Sequence, residues 1–185
     1  PSKLNFGQVI GKIHYSGICG SQLGEIDGVK GKDDYLPHLL GHEGTGVVLD
    51  YGEGVKTVKK DDKVVMHWRL GEGIQSNPPV YKSKNLGLIN AGWVTTFNEY
   101  AVVSENRITS IPENFDSEIG ALMGCAVTTG LGVINNNAKV KIGESVVVWG
   151  AGGIGLNIVQ GAALVSAFPI IAIDLYDNKL QLAKE

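Results

Sequence analysis

The sequence predicts a mixed α/β fold in which a β-rich barrel or sandwich of short strands leads into the first part of a doubly wound parallel sheet. Three observations carry this. Many of the 26 glycines punctuate short apolar runs, as in compact β-rich domains with tight turns. Near the C-terminal end, Val146-Val147-Val148-Trp149 stops abruptly at Gly150-Ala151-Gly152-Gly153-Ile154-Gly155, and small and apolar residues then resume at helical spacing from Leu156 to Val165. A second apolar run, Pro169 to Ile173, ends in Asp174, about twenty residues past the glycines.

Strand, glycine turn, helix, strand and acid make up a dinucleotide fingerprint, whereas the Gly-x-Gly-x-x-Gly pattern alone is weak. The glycines let the backbone turn and approach a pyrophosphate, and the helix N-terminus attracts its charge. Asp174 is placed to accept the ribose hydroxyls and to repel a 2′-phosphate, which favours NAD over NADP. One strand-helix-strand unit with a trailing helix is less than half of such a Rossmann-type fold. The chain is therefore expected to be a fragment of a protein roughly twice as long.

Composition bounds the rest. With 185 residues, 43% hydrophobic and 19% charged, the chain can bury one sizeable core or two small ones. A net charge of −3 and no basic run longer than Lys59-Lys60 argue against nucleic acid and anionic membranes as partners. No apolar segment approaches the ~20 residues that span a bilayer, and no signal peptide opens the chain, so the cytoplasm is the expected compartment. Two cysteines make no disulfide framework and direct attention to ligand or catalytic roles.

In order, Gln8 to Tyr15 reads as a strand with Val9, Gly11, Ile13 and Tyr15 on one face, and Gly17-Ile18-Cys19-Gly20-Ser21 turns into a short helix from Gln22 to Ile26. Asp27 to Leu40 is polar loop. Gly44 to Asp50 and Lys63 to Trp68 read as strands around the turn Tyr51-Gly52-Glu53-Gly54. Arg69 to Gly92, with Pro78-Pro79, is expected to be a long loop. Strand character returns from Thr95 to Val103 and from Arg107 to Ile111. Asp116 to Gly124 and Val127 to Ile134 read as helices leading to the strand at Ser145, with a domain boundary expected between residues 114 and 115.

Cys19 and Cys125 supply two thiols, and His42, in Gly41-His42-Glu43-Gly44, an imidazole flanked by little side-chain bulk. Together these are three corners of a tetrahedral zinc site with one position open. Ligands distant in sequence suit a catalytic site in a cleft, whereas structural zinc sites usually show local Cys-x₂-Cys pairs, which are absent.

Gly17-Ile18-Cys19-Gly20-Ser21, Gly41-His42-Glu43-Gly44, Gly124-Cys125 with Thr128-Thr129-Gly130, and the Gly150 to Gly155 turn with Asp174 appear in an order that resembles the zinc-dependent medium-chain alcohol dehydrogenase family. That family is known for this Cys₂His donor set, which is matched here rather than derived. The resemblance implies a GroES-like catalytic domain over 1–114, with its N-terminus incomplete. It implies a connection and the first part of an NAD-binding Rossmann domain over 115–185. It implies a hydride transfer between a primary or secondary alcohol and NAD, with Cys19, His42 and Cys125 holding a catalytic zinc. Glu43 would stand behind the metal, Ser21 would take the substrate proton, and Trp68 would line the pocket. Thr129 would touch the nicotinamide, the Gly150, Gly152, Gly153, Ile154 and Gly155 turn the pyrophosphate, and Lys179 the adenosine ribose beside Asp174. The full-length protein is expected to be a homo-oligomer acting on a small alcohol or carbonyl compound.

Two departures from the family matter. The stretch where relatives often carry four cysteines, here Arg69 to Gly92, has none, so one zinc and no structural zinc is expected. Gln22 replaces the usual acid that orients the zinc histidine, and Gly24 stands where some relatives keep a proton-relaying histidine. The polar loop hints at a polyol or sugar-derived alcohol. Two other readings stay open: a zinc-independent quinone or enone reductase of the same superfamily, whose members lack the Cys/His/Cys set, and a non-catalytic NAD-binding or structural protein on this fold.

Overall fold

The computed structural model describes residues 3–185, which divide into two compact units, residues 3–125 and 126–185. The first is built on a five-stranded antiparallel sheet in the order β6-β1-β2-β3-β7. Its strands are β1 (Gln8–Ser16), β2 (Glu43–Tyr51), β3 (Lys63–His67), β6 (Tyr100–Ser104) and β7 (Ile108–Ser110). The β-branched residues that favour strands also fill the core: Val9, Val48, Val64, Val103 and Ile108 form one buried cluster with Met66.

The segment expected to be a structureless loop contains a two-stranded ribbon, β4 (Val80–Ser83) with β5 (Gly87–Asn90). No alternating pattern announced it, because it covers no core: Val80, Leu86 and Leu88 are exposed and its stability is in its ladder. Conversely, the strand expected from Thr95 begins only at Tyr100. Thr95 and Thr96 are buried outside any strand, and Thr96 Oγ1 bonds Ser16 Oγ at 2.7 Å and donates to Glu43 O at 3.0 Å, so side-chain bonds to β1 and β2 replace a ladder.

The two helices expected after residue 115 join. A 22-residue helical run, Ser117–Ala138, has a mean hydropathy of 1.4 and is, by length and composition only, long and apolar enough to cross a membrane, which corrects the expectation that no such segment exists. Its beginning, α2 (Ser117–Leu122), is capped by the Asp116 carboxylate, which accepts from the Glu118 and Ile119 N–H groups at 2.8 and 3.0 Å. This part is shaped to a protein neighbour. A Cβ added at Gly120 would lie 2.7 Å from Thr45 Cγ2, so the glycine lets the helix seat on β2. Wider π-type turns at Met123–Val127 and Val133–Ala138 flank α3 (Thr128–Gly132).

The second unit pairs β8 (Val146–Trp149) in parallel with β9 (Ile170–Ile173), joined by α4 (Gly153–Leu164) and followed by α5 (Asp177–Leu182). A smaller core of Ile134, Ala162 and Ala167, with Val146, Ile158 and Ile170 packed on it, holds the crossover helix to the sheet.

Candidate functional site

Strand register assembles the first site. β1 and β2 pair with Ser16 opposite Gly44, and the Gly17 N–H donates to Glu43 O at 3.2 Å. The residues after β1 therefore lie beside those that open β2. Cys19 is the N-cap residue of α1 (Gly20–Ile26), and His42 precedes β2 by one residue. Ser21 falls one turn-position inside the helix and caps nothing. Cys125 arrives from the other side on a π-type turn, a feature that recurs at functional sites. Gly124 lets that turn settle on the sheet: a Cβ there would meet Met66 O at 2.6 Å and Glu43 Cβ at 2.8 Å.

The two sulfurs and one ring nitrogen of His42 all lie within 4.8 Å of one another. A tetrahedral zinc ion spaces such donors about 3.5–3.8 Å apart, so the set is close to ligating geometry. His42 Nε2 is buried without a hydrogen-bond partner among the described residues, and burial pushes the imidazole below its ordinary pKa, favouring the neutral form that binds metal. Burial pushes the Cys125 thiol up to about 11, and the nearby Cys19 and Glu43 push the same way, against a hydrogen bond with Trp68. Groups that disfavour one another's ionised forms are what a cation would reconcile. The donor set fits zinc.

Around it, Ser21 Oγ lies 3.4 Å from Cys19 Sγ. Glu43 is buried behind the ligands, and Gly17 leaves it room, since a Cβ there would come within 2.6 Å of its carboxylate. Gln22, in place of the usual acid, accepts from the Gly41 N–H and donates to Glu25 Oε2 at 2.8 Å. It holds the peptide that leads into His42 rather than the imidazole. Trp68 is half exposed, with the Arg69 guanidinium 5.0 Å over its ring.

Sequence reasoning named no partner for His38. Its Nδ1 bonds Leu39 O at 2.8 Å while Nε2 faces Asp33 at 2.8 Å and Glu25 at 3.6 Å. The Leu39 carbonyl raises its pKa against burial, and the two carboxylates add to that, so the cluster balances its own charge. His67 is likewise engaged, by Arg69 O and Thr109 Oγ1.

The second unit holds the glycine turn. Gly150 has φ +97°, a left-handed conformation that a side chain would strain. Gly155 cannot carry a Cβ because Gly150 O occupies the space. At Gly152 and Gly153 an added Cβ would meet nothing within 4 Å, so no packing in the chain requires those glycines, and the open space fits a pyrophosphate before the α4 N-terminus. Asp174 Oδ2 accepts from the Ala151 N–H at 2.8 Å and Oδ1 from Tyr176 N–H at 3.0 Å. The Ala151 bond leads in holding its carboxyl below the usual range. Lys179 Nζ lies 3.8 Å from Asp174 and 4.8 Å over the Tyr176 ring. This turn, Ile154, Asp174 and Lys179 line one cavity of about 730 Å³. Thr129, also in this unit, has a buried Oγ1 without a partner among the described residues. The residues present fit a dinucleotide.

A profile of the alcohol dehydrogenase GroES-like domain matches residues 5–113. The chain is 35% identical to the S-(hydroxymethyl)glutathione dehydrogenase of Photobacterium damsela subsp. piscicida, over 97% of this chain and 55% of that protein. It is 36% identical to the Synechocystis sp. protein of the same name, with the same coverage. It thus spans about half the length of the curated relatives it matches. The crystal structure of benzyl alcohol dehydrogenase from Acinetobacter calcoaceticus superposes with a TM-score of 0.83 at 28% identity, covering 98% of this chain and 55% of that one. The motifs, the fold and these matches agree: this chain belongs to the zinc-containing medium-chain alcohol dehydrogenase family and carries its GroES-like domain.

Proposed function

We propose that this chain is part of an NAD-dependent oxidoreductase that interconverts a primary or secondary alcohol and its carbonyl compound at a single catalytic zinc site. The observation that carries this is the convergence of Cys19, His42 and Cys125 within 4.8 Å with a buried His42 Nε2 that has no hydrogen-bond partner among the described residues. The relatives named for alcohol and hydroxymethyl oxidation support it. When bound, zinc supplies Lewis acidity and NAD a hydride acceptor.

The chain's own residues do the rest. Cys19, His42 and Cys125 would hold the metal beside the bound substrate. Ser21 accepts the proton that leaves the alcohol, Glu43 keeps a carboxylate behind the ligands, and Trp68 walls the approach and excludes water. In the nucleotide unit the Gly150–Gly155 turn seats the pyrophosphate, Asp174 accepts from the ribose hydroxyls with Lys179 beside it, and Thr129 offers its free hydroxyl to the nicotinamide. We further propose a catalytic domain over 1–114, a nucleotide-domain start over 115–185, no structural zinc, a homo-oligomeric full-length enzyme and a cytoplasmic address. Two cysteines offered to a metal and not joined in a disulfide suit a reducing compartment.

The test is purified full-length protein assayed for zinc by atomic absorption and for NADH formation with a panel of alcohols, and for the reverse reaction with aldehydes. One zinc per subunit and NAD-linked turnover are expected. No metal together with no NAD-dependent absorbance change would remove the proposal.

A further inference from the structure

The sequence contains two arginines, Arg69 and Arg107, and both line one cavity of about 620 Å³ together with His42, Trp68, Trp93 and Leu70. That volume suits a small ligand. Each guanidinium lies over an indole, Arg69 over Trp68 at 5.0 Å and Arg107 over Trp93 at 5.4 Å. A stacked guanidinium commits its face and leaves its N–H donors, which lie in its plane, for a ligand.

Those donors are almost unused. Arg107 is 8% exposed, its buried Nε has no hydrogen-bond partner among the described residues, and its Nη2 reaches Gln75 Oε1 only at 3.4 Å. No ion pair among the described residues involves either arginine, and no carboxylate lines the cavity. A buried cation without a counter-charge is costly to keep unless something else supplies the anion. Two planar forks beside a candidate metal ligand would bind an oxyanion bidentately and hold the rest of its molecule toward the metal.

We infer that this cavity is an oxyanion subsite, selecting alcohols or aldehydes that carry a carboxylate or phosphate at the end away from the reacting carbon. The inference rests on the proposed redox reaction and names its substrate class. Trp68 and Trp93, which line the cavity, border the connecting segment, and the arginines take its charge.

The test uses zinc-loaded full-length protein in two arms. In the first, ω-hydroxy acids and hydroxyalkyl phosphates of increasing chain length are compared with the matching 1-alkanols. The subsite predicts, at the best length, kcat/KM at least tenfold higher for the charged member, with R69Q cutting that ratio by tenfold or more, because Arg69 is exposed and its loss leaves the fold intact. For buried Arg107 the variant is R107K, which keeps charge and loses the planar fork; it lowers the ratio in the same direction. In the second arm, tryptophan fluorescence is titrated with the same acids and with inorganic phosphate in the absence of NAD, and R69Q weakens the Kd by tenfold or more. The carboxylate and phosphate series identify which oxyanion fits. Neutral alcohols preferred at every length, or no anion-dependent fluorescence change in the unsubstituted protein, overturns the subsite. Anion binding without NAD-linked turnover would instead overturn the redox reading and leave the subsite standing.

Discussion

Gly124→Ala isolates the packing that brings Cys125 to its partners. A Cβ at 124 would lie 2.6 Å from Met66 O and 2.9 Å from Glu43 Cα, both backbone atoms that cannot swing aside, where ordinary contact begins near 3.4 Å. The π-type turn must retreat from the sheet by about 0.8 Å, at a cost of about 1–3 kcal/mol. Metal-ligand distances tolerate only about 0.2 Å. A retreat several times larger pulls the Cys125 sulfur out of the set, and the expected loss of zinc affinity is about 10–100-fold, the scale seen when support for a ligand is removed. Gly20→Ala is the matched control, since it also adjoins a ligand cysteine. There an added Cβ meets nothing within 4 Å, and alanine near the start of α1 should stabilise by up to about 1 kcal/mol. Zinc competition against a chromophoric chelator, with urea unfolding alongside, separates the two in full-length protein. G124A with unchanged zinc affinity, or G20A as damaging as G124A, would refute the reasoning.

Other consequences follow from single contacts. Glu105 is 2% exposed and accepts from the N–H groups of Lys56, Thr57 and Ile74 at 2.5, 2.8 and 2.8 Å; burial alone would raise its pKa, but these donors outweigh it and hold it below the ordinary value of 4.5. Its contribution is therefore whole above about pH 4.5 and fades as pH falls through the lower folded value, so E105Q should cost about 2–4 kcal/mol in urea unfolding at pH 7, with the gap to the unsubstituted protein closing in acid. In metal-stripped protein the Cys125 thiol, raised from 9.0 to about 11, should alkylate with iodoacetamide at pH 8 about 100-fold more slowly than an ordinary thiol, as mass spectrometry of the labelled peptides would report; rapid labelling would count against its burial. Asp174→Asn removes the charge proposed to face the ribose, and the proposed preference for NAD over NADP, read as a ratio of kcat/KM, should fall at least about tenfold. An unchanged ratio would mean that Asp174 serves only its bonds to Ala151 and Tyr176.

The parts of this protein that local chemistry dictates were legible in the residues alone. Val146 to Trp149 and the glycines after it read as strand and tight turn because the chain's own backbone needs decide them, Gly150 through its positive φ and Gly155 through Gly150 O. Cys19, His42 and Cys125 could be named as ligand types. Their meeting could not be read from spacing, since it depends on the β1–β2 register, on Gly17 and Gly124 yielding space to Glu43, and on a π-type turn that merges two expected helices. The β4–β5 ribbon escaped notice because it buries little, and periodicity reports burial.

Arg69 and Arg107 escaped for a different reason. They lie 38 positions apart, neither stands in a motif, and an arginine in sequence is by default a solvated surface charge. Only the folded chain decided that one would be buried, that each would stack on an indole, and that no carboxylate would answer them. Sequence determines which groups can ligate, turn or carry charge, because those are properties of single residues and their neighbours. Which charges are left without a partner is a property of the whole packing, because desolvation and pairing are set by atoms that come from everywhere else in the chain.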